Sequence, residues 1–116
     1  MKSIATYSPH NVAAIDKRDP DAGGASHKYA VAGMGREPLL VVQFQHGPRT
    51  DPKAVEGVMD DDLLAMVADR LKCFQIGPFP SPHNAEALHH IKAARAALAV
   101  RVADRMARGV LGTNEE

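Results

Sequence analysis

Residues 60–109 read DDDLLAMVADRLKCFQIGPFPSPHNAEALHHIKAARAALAVRVADRMARG, and two helices joined by a short turn are written there. Asp60, Asp61 and Asp62 supply an N-cap and negative charge suited to a helix N-terminus. Leu63, Leu64, Val67, Leu71 and Phe74 then recur at helical spacing. Arg70 and Lys72 lie toward the C-terminal end, and Gly77-Pro78 stops the run. After the proline-rich turn Phe79 to Pro82, an alanine-rich second helix is expected from about Asn84 to Arg108, ending at Gly109. Its apolar stripe is Ala87, Leu88, Ile91, Ala94, Leu98 and Val102. The short connection predicts an antiparallel helical hairpin.

Upstream, His27 to Ala32 and Leu39 to Gln45 read as strands, with Gly33 and Gly35 in the loop between them. Arg49 to Gly57 is polar, carries Pro52, and reads as a connector or a frayed edge strand. The first 25 residues hold Pro9, Pro20, Gly23 and Gly24 and read as a loop or loose arm. The expected class is therefore α+β, a small N-terminal antiparallel sheet followed by the two-helix hairpin. The expected division is a loosely ordered arm over 1–26, the sheet over 27–58 and the hairpin over 59–116.

Composition narrows the function classes. A chain of 116 residues holds one domain and little more, so self-association is an expected source of stability. The formal net charge is zero, which removes the basic footprint of a duplex-binding protein. The one cysteine, Cys73, makes neither an internal disulfide nor a paired-cysteine zinc site. Apolar runs such as Leu39 to Val42 are far too short to span a bilayer. The N-terminus lacks the apolar run of a secretory signal, so a cytoplasmic location is expected.

Polar residues interrupt the second helix in an informative way. At about 100° per residue, Arg105 falls inside the apolar stripe and Arg101 on its border. Arg101, Arg105 and Arg108 are spaced i, i+4, i+7. One account is favourable charge near a helix C-terminus, with Asp104 pairing Arg108. The other is that guanidinium groups await an anion, which their planar fork binds bidentately. Asn84 suits an N-cap, and equally suits an adenine edge. Phe74 suits the core, yet ends its stripe beside the turn, where its ring is available to a nucleobase. His83, His89 and His90 do not converge as ligands, because adjacent helical positions diverge by about 100°. No metal site, cofactor, catalytic dyad, nucleophile elbow or P-loop can be assembled, and an enzyme is not expected.

These residues resemble the phage Thoeris anti-defence proteins and the related anti-CBASS helical hairpin domain. The run Asp62 to Leu71, followed by Phe74-Gln75-Ile76-Gly77-Pro78-Phe79, is similar to that family's first hairpin helix. Asn84-Ala85 and Ala87-Leu88 resemble the start of its second, and Arg101 to Thr113 its closing signature. Phe44 to Pro48 is similar to the end of its strand. Ser81, Pro82 and His83 depart from the cysteine and charged residues often found there, and Ala96, Ala97 and Leu98 replace a frequent bulky aromatic. The resemblance implies a sponge that sequesters cyclic ADP-ribose isomers without cleaving them, some members also taking cyclic di- or trinucleotides. It implies dimers or higher homo-oligomers such as a hexamer. Carried over by position, Phe74 stacks on adenine, Asn84 bonds beside it, and Arg101 and Arg105 take the phosphates.

Seventeen positions separate Asn84 from Arg101, about 25 Å along a helix. Two antiparallel copies would bring Asn84 of one toward Arg101 and Arg105 of the other. A small nucleic-acid-binding or structural phage protein that uses the same hairpin for assembly is the alternative reading.

Overall fold

The computed structural model describes residues 1–107; the expected pairing of Arg108 and the end of the closing signature lie outside them. The chain is α+β. Four strands, β1 (Lys2–Ile4), β2 (Asn11–Ala14), β3 (Lys28–Ala32) and β4 (Pro38–Gln43), precede two helices, α1 (Asp60–Ile76) and α2 (Pro82–Ala107). It divides into a unit Met1–Val58 and a second unit beginning at Met59. No helix among the described residues is long and apolar enough to cross a membrane.

The sheet is an antiparallel meander in the order β1-β2-β3-β4. Residues 1–26, expected as a loose arm, contribute two of its strands and a 3-10 turn, Pro20–Ala22. The reason is backbone pairing: Lys2 to Ile4 register against Ala14 to Val12, and Asn11 to Ala14 against Ala32 to Tyr29. Strands of only three and four residues carry little side-chain periodicity, so sequence pattern does not reveal them. Cross-strand neighbours share a face, so Ala14, Tyr29 and Val42 form one row. Phe44 meets the Tyr29 ring edge-on at 5.6 Å, and Ala14 is buried. Leu39, Leu40 and Val41 on the outer strand each remain about half exposed.

The β3–β4 turn falls at the expected glycines. The Gly33 amide donates to Glu37 and the Arg36 amide to Gly33, with Arg36 at a left-handed φ of 66°. The connector contributes isolated bridges, Val55 to His46 and Val58 to Phe44. Gly57 is needed there, since a Cβ would collide with the backbone of Gln43 and Phe44.

The second unit is the expected antiparallel hairpin. Asp61 at the start of α1 meets Arg95 midway along α2, and Gln75 at the end of α1 accepts from the Ser81 amide. Neither cap is the one expected. Met59 precedes α1, and Asp62 reaches back to accept its amide at 2.8 Å. Ser81 caps α2, its hydroxyl accepting from the amides of His83 and Asn84, with Pro82 at the first helical position.

Candidate functional site

The two helices meet around Ala68 and Leu88. Ala68 is buried in α1 and Leu88 in α2, and Asp61, Leu64, Ala65, Leu71 and Gln75 are partly covered along the same side of α1. That side lies roughly a quarter turn from the stripe expected from the large hydrophobics. Val67 and Phe74 consequently stand on the open side, 43% and 46% exposed. On α2, Arg95 takes the place in the covered row that Ala94 was expected to fill.

Phe74 is therefore not a core residue. The Arg70 guanidinium sits 5.3 Å from its ring centroid, one turn away, a cation–π arrangement. Asn84 lies in the first turn of α2 and is half-buried. Because Ser81 does the capping, the Asn84 side chain has no capping duty. Phe74 and Asn84 thus both sit at the turn end of the hairpin, at the end of α1 and the start of α2. Arg101 and Arg105 sit at the other end of α2. Arg105 is buried, 7% exposed, the only buried charged side chain among the described residues, while Arg101 is exposed. Within one chain the four residues form two pairs, separated by most of the length of α2.

Sequence reasoning missed Arg95. Its guanidinium holds the Asp61 carboxylate in a fork, Nε to Oδ1 at 2.6 Å and the second nitrogen to Oδ2 at 3.3 Å. The hydrogen bond from Arg95 holds the Asp61 carboxyl below its usual range, and Asp61 raises Arg95 in turn. Asp61 is thus a cross-helix tie as well as favourable charge at the helix start. Beside this pair lies an open cleft of about 330 Å³, whose lining includes Lys72, Lys92, Arg95 and Asp69. None of the four expected ligand residues lines it.

A second polar cluster, also missed, belongs to the sheet unit. Asp16 follows β2, His27 precedes β3 and His46 follows β4. Their ligand atoms lie within 4.8 Å of one another. The His27 and His46 rings stack at 4.1 Å, 5° from parallel. Asp16 accepts from the amides of His27 and Lys28. Partial burial raises the Asp16 carboxyl, but these backbone bonds outweigh it and leave the group below its usual range. Asp19 accepts from the His46 Nε2 at 2.8 Å, and that bond, with the Asp21 amide, lowers Asp19. No local spacing could have revealed a set drawn from three separate loops.

Comparison with known proteins places these features in context. The family described as Acb2/Tad1, hairpin domain, matches residues 37–103. Thoeris anti-defense 1 of Bacillus phage SBSphiJ7 is 43% identical over 94 residues. That alignment covers 81% of this chain and 65% of the phage protein, so the chain spans just under two thirds of that relative.

Proposed function

Since this chain belongs to the Acb2/Tad1 hairpin-domain family, we propose that it is a phage anti-defence protein that captures cyclic ADP-ribose isomers and withholds them, intact, from bacterial immune effectors. The observation that carries this reading is the open Phe74 ring at the turn end of the hairpin. A ring of this size left outside the core is a stacking surface, and nucleobase stacking contributes about 1–3 kcal/mol. Asn84 lies at the same end with an amide able to donate and accept at once, as an adenine edge requires.

The anion-binding half is assigned to Arg101 and Arg105. Arginine forks match the oxygens of a pyrophosphate, and such charge-assisted bonds contribute about 1.5–3 kcal/mol each. One chain holds its two pairs too far apart for a ligand of nucleotide size. The working unit is therefore a homodimer or a higher assembly such as a hexamer, in which the turn end of one hairpin meets the arginine end of another. The apolar groups left open on the helices, among them Met66, Val67, Val100 and Met106, supply the surface for that pairing. A cyclic di- or trinucleotide belongs to the same proposal as a further cargo. Capture requires no bond to be broken, and the protein acts in the cytoplasm of the host cell, where the signal is made.

Isothermal titration with purified cyclic ADP-ribose isomers tests the reading. Saturable heat is expected, with intact ligand recovered after denaturation. Ligand released as a linear product would replace capture with hydrolysis, and absence of heat with every isomer would end the proposal.

A further inference from the structure

We propose that Asp16, His27 and His46 form a three-ligand site for a zinc-type divalent transition metal ion, with Asp19 orienting His46. The sheet itself assembles the set. The Ile15 amide donates to the Lys28 carbonyl and the Phe44 amide to the His27 carbonyl. These bonds fix the end of β2, the start of β3 and the end of β4 side by side, and one ligand atom from each of the three residues falls within 4.8 Å of the others. Ligands at about 2.0–2.1 Å from a tetrahedral ion stand roughly 3.3 Å apart, so modest side-chain motion closes the site.

The donor chemistry selects the ion. Two imidazoles and a carboxylate suit zinc and its neighbours in the first transition row; calcium and magnesium prefer oxygen alone. The Nδ1 of His27 is buried and has no hydrogen-bond partner. Buried polar atoms are seldom left so, and a lone pair shielded from water and from protein donors is open to a metal. His46 is prepared in a different way. With Nε2 donating to the Asp19 carboxylate, its Nδ1 carries the lone pair, the carboxylate–histidine arrangement common around metal ions. Asp16 is held in place through its two backbone amide donors. Three protein ligands leave a fourth position for water.

The stacked rings add a signature. Parallel imidazoles aim their lone pairs side by side, not at one point. A shared ion must turn the rings about χ2, a broad torsion, and so opens the stack.

The test is titration of the tag-free full chain with zinc chloride against a chromogenic chelator, and with cobalt(II) chloride followed by visible absorption. One equivalent per chain is expected, with a visible cobalt spectrum and displaced ¹⁵N resonances of His27 and His46. Substitution of a ligand, His27→Gln or His46→Gln, removes the tight binding. Asp19→Asn retains the ligands and the turn cap, and weakens binding roughly ten- to a hundred-fold. His89→Gln and His90→Gln, on α2, leave it unchanged. If His27→Gln fails to fold, the Asp19→Asn affinity and the resonances of the unaltered chain decide. No uptake by the unaltered chain at 100-fold molar excess of zinc, uptake unaffected by Asp19→Asn, or uptake lost with His89 or His90 overturns the proposal.

Discussion

Phe74 and Asp61 show how far single residues could be read from sequence. A helical wheel weighs large hydrophobics and puts Leu63, Leu64, Val67, Leu71 and Phe74 on the contact face of α1; Leu63, Leu64 and Leu71 are partly covered, whereas Val67 and Phe74 stand open. The most covered position of α1 is Ala68, with Ala65, Leu64 and Leu71 beside it, and the Asp61–Arg95 fork ties the two helices there. Arg105 was legible, since a cation inside an apolar stripe stands out, and it is buried. Asn84 was legible as an oddity, but its release from capping depends on Ser81, which the wheel does not rank. On the proposed function, Phe74→Ala weakens ligand binding roughly ten- to a hundred-fold. Its side chain is half exposed, so the circular dichroism spectrum stays unchanged; retained affinity would remove the stacking role. Asp61 makes a pH prediction. Its folded carboxyl titrates below the unfolded one, so its stabilisation is present above the usual carboxylate range, near pH 4, and is lost as pH falls through the lower folded value. Thermal melts from pH 6 to pH 2 are expected to show a shallower acid fall for Asp61→Asn than for the unaltered chain.

The elements differ in how plainly they were written. The helices were legible because each carries several turns of periodic pattern and explicit stop signals, and β3 and β4 because they are β-rich and bracket a glycine turn. β1 and β2 were not, since three or four residues give no usable periodicity and their stability comes from neighbours in the sheet. The metal-type cluster was illegible for a related reason: it exists only once β2, β3 and β4 are paired. Two substitutions test the elements. Ser81→Ala removes the α2 cap and costs about 1 kcal/mol, seen as a lower denaturation midpoint with an unchanged slope. Gly57→Ala forces a Cβ into the backbone of Gln43 and Phe44, and is expected to destabilise the chain by more than the cap loss. Equal midpoints for Gly57→Ala and the unaltered chain would show that the connector moves freely.

For the molecule as a whole, the governing fact is how little apolar surface is hidden. Ala14, Ala68 and Leu88 are the buried hydrophobic residues among those described. Many larger ones stand open, on the outer strand at Leu39 to Val41 and on the helices at Val67, Ile76 and Met106. A small chain with so modest a core gains stability by association, and the proposed ligand pocket needs that association as well. Light scattering is therefore expected to give at least twice the chain mass of 12.4 kDa. The most direct test of the shared pocket mixes two damaged chains, Phe74→Ala and Arg101→Ala, after denaturation and joint refolding. Each variant alone is expected to bind a cyclic ADP-ribose isomer poorly. The mixed dimer is expected to regain one sound pocket, with Phe74 from one chain and Arg101 from the other, and hence strong binding at about a quarter of the native capacity. No recovery, in a mixture shown by mass spectrometry to contain mixed dimers, would contradict a pocket built across two copies.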